Sequence, residues 1–243
     1  MIRTLEQPSS FSKEIQAMFT AIAPRYDFLN GALSFGRDRY WREFAVDALA
    51  PQAGERFLDV ATGTADVALE IASRHPTSIK VSGVDFSRRM LQLGQRKVCG
   101  KNLDSAIGLQ SGNAENLPFA DNSFHGAICA FGVRNFADVR QGLSEMWRTL
   151  KPGGKAVILE FSMPRNFAFK WVYRFYFGFV LPFIGRIISG HQIAYSYLPR
   201  SVSDFPGPSE FREMMEESGF KNVTSKDLTF GIATVYAGLK KSG

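Results

Sequence analysis

Between residues 56 and 161, short runs of apolar residues alternate with longer stretches in which apolar residues recur at helical spacing. The short runs predict five buried strands, at 57–61, 81–85, 106–110, 126–130 and 156–161. The longer stretches predict helices at 66–74, 87–98 and 139–150. Because strands that alternate with helices form parallel sheets with right-handed crossovers, the pattern predicts an α/β fold of the Rossmann-like type.

The flanking regions have different patterns. Helical spacing dominates about residues 12–50, where Pro24 and the Asn30-Gly31 pair interrupt it. About residues 165–208 are aromatic and basic, and a helix at 210–218 then precedes two strand-like runs at 223–227 and 233–240. We therefore expect one domain over residues 1–243, with an N-terminal helical lid, an aromatic helical insertion and two final strands that extend the sheet to seven.

Composition narrows the class of protein. The 243 residues carry a formal net charge of +6, and 45% of them are hydrophobic, as in ordinary globular proteins. Two cysteines, Cys99 and Cys129, form neither a disulfide framework nor a metal-ligand cluster, so we expect a reducing compartment and no metal. The first twelve residues lack the apolar run of a signal peptide, and no stretch of about 20 apolar residues occurs. A cytoplasmic location is the expectation.

A small-residue turn after the first predicted strand carries the first candidate binding residues. Asp59 lies near the end of that strand, and Gly63 and Thr64 follow before the next helix. Ligands of open α/β sheets bind beyond the carboxyl ends of the strands, and Gly63 allows a close approach of the backbone. The G-x-G-x-x-G fingerprint of dinucleotide folds is absent. A carboxylate at Asp59 disfavours a pyrophosphate and suits the cationic amino group of S-adenosylmethionine.

Two further motifs follow the next two strands. Asp85 ends the second strand, where a carboxylate can accept hydrogen bonds from both ribose hydroxyls, and Ser87 is placed to cap the following helix. After the third strand, Asn113 is placed to hydrogen-bond the adenine edge, and Ala114 leaves room for the ring. Three motifs in this order, each at a strand end, predict S-adenosyl-L-methionine as the cofactor. A plain strand-to-helix turn is the alternative for the first of them.

Four more motifs lie outside this cofactor pattern. They are Tyr26-Asp27-Phe28-Leu29-Asn30, Phe131-Gly132-Val133-Arg134-Asn135-Phe136, Leu150-Lys151-Pro152-Gly153-Gly154 and Tyr195-Ser196-Tyr197-Leu198-Pro199. In these motifs, and over nearly its whole length, the chain resembles the menaquinone/ubiquinone biosynthesis C-methyltransferases, in particular the demethylmenaquinone methyltransferase group. The chain departs from the family at Ala65, where glycine is usual. It also departs at Ala130, where some members have a serine that touches the cofactor.

The resemblance implies a class I methyltransferase fold, with a seven-stranded, mostly parallel sheet and helices on both faces. It also implies methylation of a ring carbon of a prenylated quinol, converting demethylmenaquinol to menaquinol, with the benzoquinol of the ubiquinone pathway as the alternative. A quinol carbon becomes nucleophilic when its hydroxyl ionises. Arg134 and Asn135, which follow strand four, are catalytic candidates. Arg134 could stabilise that phenolate or position a water that takes the proton, and Tyr26 could hydrogen-bond a quinol oxygen. The alternatives are a salt bridge from Arg134 to Asp138 or another nearby acid, and simple aromatic packing of Tyr26.

The aromatic segment suggests how a prenyl tail is accommodated. Phenylalanine, tryptophan and tyrosine alternate with Lys170 and Arg174, which suits a greasy tunnel or a peripheral contact with a membrane interface. A packed subdomain or a homodimer interface is the alternative.

Other functions remain as alternatives. They are an RNA methyltransferase, another small-molecule methyltransferase and a non-catalytic cofactor-binding scaffold. Because the motifs of RNA base methylation are missing, we expect no nucleic-acid partner.

Overall fold

The computed structural model describes residues 10–75, 77–164 and 192–242. The strands in this part of the chain are β1 (Arg56–Val60), β2 (Lys80–Asp85), β3 (Ile107–Ser111), β4 (Phe124–Ala130), β5 (Leu150–Phe161), β6 (Phe220–Leu228) and β7 (Ala233–Lys240). They form one sheet in the order β3-β2-β1-β4-β5-β7-β6. β1 to β5 are parallel, and β7 runs antiparallel to both β5 and β6. Strand order reverses between β1 and β4, where ligands of such sheets bind.

Helices precede, connect and follow these strands. They are α1 (Ser10–Ile22), α2 (Tyr26–Leu33), α3 (Arg37–Leu49), α4 (Asp66–Arg74), α5 (Arg88–Gly100), α6 (Val139–Thr149), α7 (Gln192–Asp204) and α8 (Pro208–Glu217). Short 3-10 helices occur at Ala23–Arg25, Val133–Asn135 and Thr229–Gly231. Ser87 caps α5 as predicted, since its hydroxyl accepts a hydrogen bond from the Met90 amide.

The sheet is buried on both faces. Along β4, Ile128 packs with α3 and α4, whereas its neighbour Ala127 packs with α6 and α8. Val157 and Ile158 alternate in the same way along β5. Continuous apolar strands of this kind are expected when helices cover both faces. The predicted seven-stranded, mostly parallel sheet with helices on both faces is confirmed.

The N-terminal helices break at a different place from the one predicted. Pro24 does lie in a short 3-10 helix between α1 and α2. The Asn30-Gly31 pair, however, lies inside α2, because its carbonyls accept hydrogen bonds from Ser34 N and Gly36 N. The break follows at Phe35 and Gly36, whose φ angles of 51° and 73° are left-handed. Neither Asn30 nor Gly31 has a positive φ angle, and the pair continues the helix.

Two further expectations concern the aromatic insertion and membrane-spanning helices. Of the predicted insertion at about 165–208, the stretch Gln192–Asp204 is helical, and residues 165–191 lie outside the described residues. Among the residues described, no helix is long and apolar enough to cross a membrane.

Candidate active site

The turn after β1 has an unusual backbone conformation. Ala61, Gly63 and Ala65 all have left-handed φ angles, of 55°, 56° and 66°. The Thr62 amide donates to Val84 O of β2 at 2.9 Å, which ties the turn to the neighbouring strand. Ala65 is the N-cap of α4, and a left-handed alanine is strained by about 1 kcal/mol relative to glycine. This geometry explains why glycine suits the position at which the chain carries Ala65.

The side chain of Asp59 stabilises this turn through hydrogen bonds. Its carboxylate is almost fully buried and accepts hydrogen bonds from Thr62 Oγ1 at 2.5 Å and from the Ala68 amide at 3.1 Å. Burial raises the pKa of Asp59 to about 7, although these two hydrogen bonds oppose the rise. The site therefore contains a carboxyl group whose ionised form is costly until a cation accompanies it.

Asp85 lies at the end of β2 and faces the same turn. Its carboxylate accepts hydrogen bonds from the Gly63 amide and from the Ser87 amide, each at 2.8 Å. Burial raises the pKa of Asp85 to about 6. A carboxylate has about four acceptor positions, so acceptor capacity remains beyond these two hydrogen bonds.

A cleft of about 400 Å³, open solvent included, lies above the turn. Five residues selected from the sequence line it, namely Tyr26, Asp59, Gly63, Thr64 and Ala130. Asn30, Arg42 and Phe131, to which the sequence analysis assigned no role in the site, also line it.

The N-terminal helices cover one side of this cleft. Tyr26 Cε1 lies 4.0 Å from the position that a β-carbon would take at Gly63. Asp27 accepts a hydrogen bond from Thr64 Oγ1 at 2.6 Å and pairs with Lys97 Nζ of α5 at 2.6 Å. Lys97 also pairs with Asp66 at 2.6 Å. These contacts hold α2 against the glycine-containing turn.

Arg134 and Asn135 lie in the 3-10 helix that follows β4. Arg134 pairs with Glu160, not with Asp138, at 2.8 Å between Nη1 and Oε1, and both side chains are buried. Asp138 instead caps α6 through the Gln141 amide. Asn135 Oδ1 accepts a hydrogen bond from Tyr197 Oη of α7 at 2.9 Å. The guanidinium is therefore a buried, paired cation close to Phe131 of the cleft.

Asn113 and Ala114 lie apart from this group. Asn113 is exposed beyond the end of β3, and its side-chain oxygen accepts a hydrogen bond from the Glu115 amide at 3.0 Å. Neither Asn113 nor Ala114 is among the described residues that line the cleft. The structure thus gathers Asp59, Gly63, Thr64, Ala130 and Tyr26 around one cleft, places Asp85 directly behind Gly63, and leaves the predicted adenine contacts as predictions.

Sequence reasoning did not identify Glu160, Tyr197, Arg42 or Lys97 as parts of the site. A signal existed for Glu160, because a carboxylate inside a predicted buried strand requires a partner, and for Tyr197, which lies in one of the four family motifs. Arg42 and Lys97 reach the site from α3 and α5, whose packing positions no local pattern specifies.

Comparison with known proteins decides the family. A model described as the ubiE/COQ5 methyltransferase family matches residues 8–240. The chain belongs to this family. The Ubiquinone/menaquinone biosynthesis C-methyltransferase UbiE of Geotalea daltonii is 54% identical over 228 residues, covering 94% of this chain and 97% of that protein. The Demethylmenaquinone methyltransferase of Deinococcus radiodurans is 48% identical over 227 residues, covering 93% of this chain and 92% of that protein.

Solved structures support the fold assignment of this family member. The [4+2]-cyclase SpnF matches with a TM-score of 0.72 at 16% identity, covering 97% of this chain and 99% of that one. Phosphoethanolamine N-methyltransferase 2 of Haemonchus contortus, in complex with S-adenosyl-L-methionine, matches with a TM-score of 0.68 at 17% identity, covering 98% of this chain and 61% of that one. At such identities the likeness concerns the fold alone.

Family membership makes the chain a methyltransferase that uses S-adenosylmethionine, as the cofactor motifs predicted. The donor set fits this cofactor. Asp59 offers a buried negative charge, Asp85 offers further acceptor positions beside Gly63, and the left-handed turn allows close backbone approach.

Proposed function

We propose that this enzyme methylates a ring carbon of a prenylated quinol and that its substrate is demethylmenaquinol, which becomes menaquinol. The observation that carries the proposal is similarity over nearly the whole chain to relatives named as methyltransferases of quinone biosynthesis. Methylation of a benzoquinol is the second candidate, because several relatives bear names that include both ubiquinone and menaquinone.

In this proposal, seven residues hold the cofactor. Asp59 pairs with its amino group, Asp85 accepts from its ribose hydroxyls, and Gly63 and Thr64 bring the backbone close to it. Asn113 and Ala114 hold the adenine, and Ala130 borders the reactive end. Bound S-adenosylmethionine supplies an electrophilic methyl group, which becomes a substituent of the ring as the carbon–sulfur bond breaks.

The remaining residues act on the quinol. Loss of the quinol hydroxyl proton places negative charge on the ring, and the ring carbon loses its own proton after the new carbon–carbon bond forms. Arg134, paired with the fully buried Glu160, is a permanent cation, so its role is to stabilise the phenolate and not to accept a proton. Asn135 and Tyr26 hydrogen-bond the quinol oxygens and orient the ring.

We further propose that α1 to α3 form a lid over the cleft. The hydrogen bond between Thr64 and Asp27 and the ion pair between Lys97 and Asp27 support this role. We also propose that the aromatic segment at about 165–208 makes a peripheral contact with the membrane, since a prenyl tail partitions into lipid. The alternative role of this segment is a homodimer interface.

The deciding experiment measures transfer of labelled methyl groups. Purified protein is incubated with labelled S-adenosylmethionine and a chemically reduced short-chain demethylmenaquinol, with a demethylated benzoquinol and RNA in parallel tubes. We expect label on the naphthoquinol ring carbon. Arg134→Ala should lower turnover by roughly 10²-fold or more while the cofactor Kd remains unchanged. Label in RNA and none in either quinol would disprove the proposed function.

A further inference from the structure

Glu160 is a carboxylate in the interior of the sheet, close to the end of β5. It is completely buried, and such a group is tolerated only when charges and hydrogen bonds compensate it. Its Oε1 accepts from Arg134 Nη1 and from the Phe161 amide, each at 2.8 Å, and its Oε2 accepts from the Arg134 amide at 3.2 Å. Glu160 therefore contacts both the side chain and the backbone of the proposed phenolate stabiliser.

Strand register places this carboxylate at the level of the cleft. Ala130 pairs with Leu159 in the ladder between β4 and β5, and the Phe131 amide donates to Leu159 O at 2.7 Å. Glu160 is the next residue along β5. Ala130 and Phe131 both line the cleft. Glu160 therefore lies beside the part of the cleft wall that immediately precedes Arg134 in the chain.

The guanidinium of Arg134 is held from three directions. Nη1 donates to Glu160 and to the Phe131 carbonyl, and the guanidinium carbon lies 5.4 Å from the centroid of the Phe161 ring. Its Nε is buried and has no acceptor among the described residues. The side chain thus has a fixed orientation, and one of its donors finds no acceptor among the described residues.

We propose that Glu160 is a positioning residue for methyl transfer, acting through Arg134. It fixes the direction of the guanidinium and keeps it from rotating away when the quinol enters and ionises. The role rests on the proposed function, because it presupposes a phenolate for Arg134 to stabilise. A purely structural ion pair is the competing explanation, and kinetics separate the two.

The test is a double-mutant cycle on kcat with the reduced demethylmenaquinol. Glu160→Gln keeps the shape and removes the charge, and we expect kcat to fall by about 10- to 100-fold with the S-adenosylmethionine Kd within about twofold of wild type. Arg134→Gln should cause an equal or larger loss. If Glu160 acts through Arg134, the double variant is no slower than Arg134→Gln alone, since coupled residues are non-additive. Losses that multiply would overturn the proposal.

A matched control lies directly opposite in the sheet. Thr234 is the cross-strand partner of Glu160, is fully buried, and hydrogen-bonds Asp227 and Ser162. Thr234→Val removes a buried hydrogen-bonding group from the same cross-strand pair, and we expect a lower Tm with unchanged kcat. An equal loss of kcat in Thr234→Val would assign the effect of Glu160→Gln to general packing and overturn the positioning role.

Two further outcomes are distinguishable. If Glu160→Gln does not fold, the cycle is run with Glu160→Asp, which retains the charge on a shorter side chain, and the same non-additivity is expected. Wild-type protein that methylates no quinol would overturn the proposed function and the positioning role together. If the wild-type protein is active and the losses of kcat in Glu160→Gln and Arg134→Gln multiply in the double variant, the positioning role alone is overturned.

Discussion

At the scale of single residues, two buried carboxyl groups lie at the ends of neighbouring strands: Asp59 lines the cleft, and Asp85 hydrogen-bonds the Gly63 amide behind it. Burial raises the pKa of Asp59 to about 7 and that of Asp85 to about 6. Folding therefore favours their protonated forms. The associated stability is complete below the ordinary pKa of aspartate and is lost as the pH rises through these folded values. A bound cation reverses the preference, because an opposite charge stabilises the carboxylate.

This reversal predicts a pH dependence of cofactor binding. We expect S-adenosylmethionine to bind more tightly as the pH rises from about 6 to about 8, because Asp59 ionises in this window. Asp59→Asn should weaken binding by roughly 10- to 100-fold and remove most of the rise, since it abolishes a charge-assisted contact. Isothermal titration calorimetry at several pH values provides the measurement.

The control for this prediction is Asp47→Asn. The Asp47 side chain is 63% exposed and pairs with Arg74, away from the cleft. This variant should keep the wild-type pH dependence. A wild-type affinity that does not change with pH would contradict the role assigned to Asp59.

At the scale of elements, the attachment of α2 to α5 depends on Lys97. This ammonium contacts Asp27, Thr64 and Asp66 at 2.6 to 2.9 Å and connects the N-terminal helices to the cofactor turn. Because Lys97 is the central group of the network, its removal takes this cation from Asp27, whereas Asp66 keeps its ion pair with Arg42 at 3.4 Å.

Lys97→Met should therefore loosen the N-terminal helices. We expect a cost of roughly 1 kcal/mol, which corresponds to about fivefold faster cofactor dissociation if α2 must move for release. Stopped-flow dissociation and hydrogen exchange over residues 10–33 measure the two effects. Arg39→Met is the matched control, because the Arg39 side chain is 82% exposed and its pair with Glu43 lies within α3. Equal effects in both variants would remove Lys97 from this role.

At the scale of the whole molecule, Lys240 secures the last strand to the rest of the domain. Its buried ammonium donates to Asn122 Oδ1 at 2.9 Å, to Trp147 O at 3.0 Å and to Leu150 O at 2.8 Å. It also lies 4.0 Å from the centroid of the Trp147 ring. The end of β7 is thereby joined to α6 and to the start of β5.

Lys240→Met should destabilise the fold without affecting the chemistry. Leaving buried carbonyls without a donor costs roughly 2–4 kcal/mol. In a domain of this size that cost lowers Tm by roughly 5–15 °C. Thermal unfolding with kcat measured on the folded protein tests this, and Lys241→Met, at the exposed neighbouring position, is the control. A large fall in kcat at unchanged Tm would contradict the structural role.

Much of the fold was predictable because the evidence for it is local. The predicted helix at 66–74 and the strand at 233–240 coincide with α4 and β7, since apolar periodicity reports which side of an element is buried. β5 begins at Leu150, earlier than predicted, because Leu150 already pairs with Phe124 ahead of a bulge. That pairing belongs to another segment of the chain, and no local pattern reveals it.

The sequence by itself determined the class of fold, the strand ends that carry Asp59 and Asp85, and the family motif that contains Arg134. Each of these depends on residues near one another along the chain. Only the tertiary structure decided that Arg134 pairs with Glu160, 26 residues away, and that Asp27 meets Lys97 and Thr64. The physical reason is that parallel strand register and helix packing bring these groups together, and local periodicity specifies neither.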